Sequence, residues 1–246
     1  MDILPAIDIR GGNCVRLLRG DYDQETVFGD DPAAMAERWL SQGARALHIV
    51  DLDGARDGGD LNREAVTGIL ERVGSIGGDD FPTELGGGIR DLAGIERWLE
   101  LGLARVILGT AAVRNPDLVT EAAGRWGTRV WVGIDARGGL VATDGWLSTS
   151  DRRAEDLARE MADRGAGGII YTDIDRDGTG DGVNVEATAA VARSSGLPVI
   201  ASGGIHSVEH VRAVRAQADA GIVGVIVGRA LYDGAVTMEE LHEAAA

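Results

Sequence analysis

Eight short apolar, β-branched runs recur along the chain with helical stretches between them. They are ILPAI near the start, ALHIV at 46–50, PTEL, RVIL, VWVGI at 130–134, GGIIY at 167–171, PVIAS and GVIVG at 224–228. Runs that are apolar at successive positions fit strands buried on both faces, the condition of a parallel sheet covered by helices. The intervening segments Pro32–Gln42, Asp91–Leu101 and Arg152–Arg164 carry amphipathic helical patterns. Helix starts are marked by Asp31 before Pro32, Asn115 before Pro116, and by Asp91 and Ser207 at N-cap positions. No segment reads as a linker, so the pattern predicts one α/β domain.

The pattern also repeats. PAIDIRGG (Pro5 to Gly12) returns as VGIDARGG (Val132 to Gly139), ELGGGIR (Glu84 to Arg90) as ASGGIH (Ala201 to His206), and VILGTA (Val106 to Ala111) as VIVGRA (Val225 to Ala230). The spacing is about 120 residues each time, so the chain is expected to hold two half-barrels, about 1–125 and 126–246. A doubly wound open sheet also fits strand–helix alternation, but eight units in two similar halves close more naturally into a (β/α)8 TIM barrel. The length of 246 residues matches that fold. Chemistry in such barrels sits at the carboxyl ends of the strands, and Asp8, Asp51, Asp135 and Asp173 end strands one, two, five and six.

Composition narrows the function. The chain has 40 acidic residues against 24 basic ones, all of them arginine, for a net charge of −16. Such a field repels nucleic acid and anionic membranes, which depend on clustered positive charge. A dianionic small molecule would be repelled at long range too, so its site must rely on local donors. The acidic surface reads as an adaptation to high salt, where self-repulsion is screened, or as an ordinary acidic protein from a GC-rich gene. The single cysteine, Cys14, cannot form an internal disulfide and makes thiol catalysis or a cysteine metal cluster a poor expectation. Without an apolar run of membrane-spanning length or a signal-peptide pattern at the N-terminus, a cytoplasmic protein is expected. No obligate protein partner is expected either.

Glycines and acids carry the candidate chemistry. Gly86, Gly87 and Gly88 end the third strand and Gly109 with Thr110 the fourth; Gly203 and Gly204 follow the seventh, and Gly228 with Arg229 the eighth. Glycine allows close backbone approach, and the first-turn amides of the next helix then favour an anion. Two symmetry-related pairs of loops predict two phosphates at opposite sides of the mouth. Asp8 and Asp135, at equivalent places, should face each other between them, one as general base and one as general acid. Each could instead merely cap a βα loop. Arg16, Arg19 and Arg90 fall on mouth loops where guanidinium forks can hold phosphate.

Other motifs are discounted or left open. TDIDRDG (Thr172 to Gly178) superficially resembles a calcium loop, but Asn184 stands at the twelfth position, where a bidentate Glu is needed, and DLDG (Asp51 to Gly54) is its barrel-loop counterpart. His206 and His210 have metal-pair spacing, yet Ser207 stands where the HExxH motif has Glu, so both are taken as surface residues and no metal is expected. Trp146 could stack on a flat heterocycle or simply anchor its loop. Trp39 and Trp98 fall within helix patterns and read as packing residues.

Together PAIDIRGG, VRLLRGDY, HIVDLDGA, GGGIR, VILGTAAV, GIDARGG, GW, TDIDRDGT and ASGGI resemble the histidine-pathway isomerase family over essentially the whole chain. Enzymes of that family convert phosphoribosyl-formimino-aminoimidazole-carboxamide ribotide (ProFAR) to its ribulosyl isomer (PRFAR). The resemblance implies a cofactor-free, duplicated half-barrel and a substrate bearing a phosphate at each end. It implies Asp8 as proton acceptor, Asp135 as donor, and Thr172 and Asp177 as assisting residues. The related cyclase resembles PCLDV at the start and DITAS after strand two, whereas this chain has Ala6 and DLDGA. A relative that also isomerises phosphoribosylanthranilate differs less, and a non-enzymatic phosphoribosyl sensor is a further alternative. GTGDG (Gly178 to Gly182) departs from the family, which commonly has leucine after GT.

Overall fold

Each apolar run forms a strand in the computed structural model, which describes residues 1–246. In chain order the strands are β1 (Asp2–Arg10), β2 (Asn13–Leu18), β3 (Asp21–Gly29), β4 (Leu47–Asp51), β5 (Thr83–Gly86), β6 (Arg105–Leu108), β7 (Val130–Arg137), β8 (Leu140–Thr143), β9 (Ser148–Arg153), β10 (Ile169–Asp173), β11 (Val199–Ser202) and β12 (Ile222–Val227). The principal helices are α1 (Pro32–Ser41), α2 (Leu52–Asp57), α3 (Arg63–Gly77), α4 (Leu92–Glu100), α5 (Thr110–Arg114), α6 (Pro116–Trp126), α7 (Ala154–Asp163), α8 (Val185–Ser195), α9 (Val208–Arg215), α10 (Arg229–Tyr232) and α11 (Met238–Ala245).

Eight of the strands are parallel and close on themselves in the order β1, β4, β5, β6, β7, β10, β11, β12. The ring is sealed where Asp2 to Pro5 pair with Gly224 to Val227. This is the (β/α)8 barrel that the alternation predicts. Strand residues alternate between two cores because successive side chains point to opposite faces. Leu47, Ile49, Leu85 and Val106 belong to a large outer layer against the helices. Leu4, Ala6, Ile107, Trp131, Ile170, Ile200 and Ile226 fill the barrel. Each fully buried aliphatic side chain contributes roughly 1.5–3 kcal/mol, so this double burial is the main stabilising term. Trp39 and Trp98 are buried in the outer layer, as their helical placement predicts.

The remaining four strands are two hairpins that the hydrophobic pattern does not announce, because β3 and β9 are mostly polar and exposed. The first follows β1, through Asp8↔Val15 and Arg10↔Asn13; the second follows β7, through Ala136↔Val141 and Arg137↔Leu140. Both turn on a Gly-Gly pair, Gly11–Gly12 and Gly138–Gly139, with positive φ at both residues. That is the requirement of a tight primed hairpin turn, so the repeated RGG is a turn signal. The second hairpin also shortens the expected Arg152–Arg164 helix, since Arg152 and Arg153 complete β9 and α7 begins at Ala154.

Helix starts follow the sequence in part. Asp31 and Asp91 accept from the amides of Ala34 and Gly94, as N-caps should. Asn115 and Ser207 occupy N-cap positions without a side-chain cap bond. No helix is long and apolar enough to cross a membrane.

Candidate active site

Strand ends and loops at the carboxyl face of the barrel enclose a cavity of about 220 Å³ lined by Asp8, Arg16, Gly87, Gly88, Arg90, Gly109, Thr110, Asp135, Trp146, Thr172 and Asp177, among others. An adjoining cavity of about 140 Å³ is lined by Arg16, Asp177, Gly203, Gly204, Gly228 and Arg229. Asp177 and Arg16 border both. The structure therefore brings together every predicted site residue except Arg19. That side chain is exposed and lines neither cavity, although its amide donates to the Asp177 carbonyl at 3.3 Å.

The two anion cradles are built by loops laced together in the same way in each half. Asp51, 1% exposed, accepts from the Gly54 amide at 2.8 Å and from the Asn62 side chain at 2.7 Å. Asp173 accepts from the Asn184 side chain at 2.8 Å and the Asp175 amide at 3.1 Å. These acids hold loops, and no cluster of three His, Cys, Asp or Glu with metal-binding geometry is present. The laced loops then meet the glycine turns: Gly59 donates to the Gly88 carbonyl at 3.2 Å and Gly182 to that of Gly204 at 2.8 Å. A Cβ on Gly88 would overlap the Gly59 carbonyl, and one on Gly204 would lie 2.7 Å from the Gly182 carbonyl. Glycine is needed there for loop-to-loop contact as well as for an open cradle, with φ of 76° and 93°.

The donors are local, as a net-negative protein needs. Arg90 packs on Gly58 beside the first cradle, and Arg16 packs on Gly228 beside the second. The Nε of Arg229 is buried without a hydrogen-bond partner, an arrangement that suits an incoming anion. Thr110 is engaged otherwise: its hydroxyl accepts the Asp144 amide at 2.9 Å, tying the first cradle to the second hairpin. His206 is exposed, as expected of a surface residue, but it also lines the second cradle. It was missed as a site residue because its spacing to His210 suggested only a metal pair. Its position in ASGGIH, directly after the glycine turn, is the signal that could have found it. Gly180 stands close to the His206 ring, and a Cβ there would come within 3.2 Å.

The carboxylates differ in environment. Asp8 lies 2.9 Å from the Arg16 guanidinium, an ion pair in which both side chains are nearly buried. Burial works against the Arg16 charge, but Asp8 and then Asp177 outweigh it and raise its pKa. Asp135 has no cationic partner of this kind. Burial raises its pKa, only partly offset by the nearby Trp146 and Thr172 side chains and by His48. Asp177 is pushed up to about 6, first by burial, with Asp8 and Asp135 adding to the rise and Arg16 opposing it. One acid thus lies beside a cation while burial raises the pKa of its counterpart, an asymmetry of the kind that paired bases and acids use. Trp146 lines the cavity and packs on Gly20 of the first hairpin, with φ of 70°. It anchors its loop while presenting a ring surface to the pocket.

Comparison with known proteins places this geometry. Residues 2–237 match the family described as Histidine biosynthesis protein. The chain belongs to that family. It is 56% identical over 236 residues to a protein of Rhodospirillum centenum, covering 96% of this chain and 93% of the relative. It is 53% identical to a protein of Paracoccus denitrificans over the full length of both. Both relatives are named 1-(5-phosphoribosyl)-5-((5-phosphoribosylamino)methylideneamino)imidazole-4-carboxamide isomerase, which is ProFAR isomerase.

Proposed function

We propose that the protein is a ProFAR isomerase of histidine biosynthesis that carries out an Amadori rearrangement in the cytoplasm. The observation that carries this reading is the pair Asp8 and Asp135 in one cavity, the first matched to Arg16 and the second raised by burial, between two glycine-built cradles. The substrate is a small molecule with a phosphate at each end. Gly87, Gly88, Arg90 and the first turn of α5 would hold one phosphate. Gly203, Gly204, Arg229 and Arg16 would hold the other.

In the reaction, protonated Asp135 gives its proton to the ribose ring oxygen, and the C1–O bond breaks to leave a protonated Schiff base. Asp8 then removes the proton from C2, and the electron pair moves to give the enolamine. Return of a proton to C1 with loss of the proton from the C2 hydroxyl yields the aminoketose, so no electrons enter or leave and no redox cofactor is required. Thr172 and Asp177 assist from the sixth barrel strand and its loop. Each correctly placed acid or base contributes typically ~10²–10⁴-fold to the rate.

The test is an assay of the purified protein with ProFAR and, separately, with phosphoribosylanthranilate. Turnover of ProFAR alone is the expected result. Absence of ProFAR turnover would refute the proposal, and turnover of both would mark a dual-specificity isomerase.

A further inference from the structure

Two histidines at the start of α9 clasp the loop of residues 174–184, between β10 and α8. His206 stands beside Gly180, where an added Cβ would lie 3.2 Å from its Cγ and 3.5 Å from its Nδ1. His210 stands beside Gly182 in the same way, with 3.1 Å to its Cδ2. The i, i+4 spacing serves a cap: the His206 amide donates to His210 Nδ1 at 3.2 Å, while Ser207, at the N-cap position, makes no side-chain cap bond. Gly180 has a φ of 80°, and leucine, which the family commonly has there, would press its side chain into the imidazole. The glycine at 180 and the histidine at 206 are thus two parts of one departure.

That departure sets an imidazole at the rim of the second cradle. His206 lines its cavity together with Arg16, Asp177, Gly204, Gly228 and Arg229, and its ring nitrogens have no hydrogen-bond partner in the protein. Two more donors in the same cavity are open. Arg229 Nε is buried without a partner, and Arg16, 8% exposed, has a buried Nη1 that lies 2.9 Å from Asp8 without making a well-directed hydrogen bond. Buried donors left in this state call for an acceptor between them. The demand on donors is high, because Asp177 stands in the cavity wall and the charge of Arg16 is already matched by Asp8. A doubly charged phosphate set against that carboxyl group needs donors beyond Arg229 and the turn amides, and an imidazole keeps an N–H in either tautomer.

We infer that His206 is a phosphate-binding residue of the second cradle, donating a ring N–H to the ligand's phosphate, and that Gly180 provides the space that admits its ring. This role rests on the reading of the second cradle as a phosphate site, and not on which reaction follows.

Inorganic phosphate and ProFAR are the probes, both on the full-length protein. The chain has four histidines, so their ring signals in ¹H–¹⁵N spectra are assigned by comparison with H206N. Inorganic phosphate, added at constant ionic strength, should move the His206 signals saturably and leave those of His242, on α11, in place. No saturable shift at His206 would overturn the role, whether or not phosphate inhibits turnover. In kinetics, H206A should raise KM for ProFAR and the inhibition constant of phosphate alike, by about 5- to 30-fold, with kcat within about 3-fold of wild type. H206F keeps a ring against Gly180 but donates nothing, so it should match H206A, while H206N, with an amide donor, should recover part of the loss. H206F at the wild-type KM would reveal a ring that merely packs and would overturn the contact. A protein that binds phosphate through His206 yet leaves ProFAR unchanged would refute the isomerase reading and uphold the site.

Discussion

The two half-barrels share a frame and differ in charge. Each has a barrel strand carrying an aspartate that lines the pocket, a hairpin turning on two positive-φ glycines, a buried Asp–Asn pair, and a glycine turn laced to the preceding loop. Yet only the first hairpin puts a cation beside its aspartate. Counting from the glycine pairs, the place of Arg16 on β2 is taken by Thr143 on β8. Asp8 therefore has an ion-pair partner, and Asp135 is left to burial. The repeat supplies matched positions for two carboxyl groups, and a single unmatched residue leaves one beside a cation and the other raised by burial.

That comparison can be broken most severely at the aspartates. D8N and D135N should each cost about 3–5 kcal/mol of barrier, read as kcat in single-turnover assays, with the fold intact by circular dichroism. Equal loss in both would fit two committed groups; full activity in either would remove it from the mechanism.

The shared frame is tested by glycine. In G88A the new Cβ would overlap the Gly59 carbonyl at a φ of 76°, and unfolding free energy should fall by about 2 kcal/mol or more. G204A should lose less, since its Cβ would stand 2.7 Å from the Gly182 carbonyl. G109A meets nothing within 4 Å at negative φ and should change stability by less than about 0.5 kcal/mol while weakening substrate binding.

Charge asymmetry also has a pH signature. Asp177 is raised to about 6, so the folded state holds its proton more tightly than the unfolded chain. The stabilisation linked to that proton is complete below the unfolded value and is lost as pH rises through about 6. Wild type should therefore gain about 1–3 kcal/mol relative to D177N between pH 7.5 and pH 4, in urea unfolding at each pH. A constant difference would mean that Asp177 titrates normally. The smallest effect expected is that of salt. If the acidic surface suits high ionic strength, raising salt to the molar range should stabilise both halves alike by about 1 kcal/mol, and an unchanged midpoint would discard that idea.

Much of this was legible along the chain. Eight buried-strand runs, a repeat of about 120 residues and glycines after strands three, four, seven and eight led to the barrel and its two-ended mouth. The polar hairpins escaped, because β3 and β9 bury little and their register is set by glycine turns and neighbouring loops. Arg19 reads, like Arg16 and Arg90, as a mouth-loop guanidinium, but only Arg16 lies on the strand that pairs with β1 and reaches Asp8.

The order of strands, the twofold design and the residue types available for chemistry were determined by the sequence alone, since they follow from hydrophobic period and local turn preference. Which acid meets a cation, which arginine turns into the cavity, and how His48, Glu84 and Arg105 align across three strands were decided only by the closed barrel. The last of these relations joins residues 36 and 21 positions apart, and the burial that surrounds all of them exists only once the ring has closed.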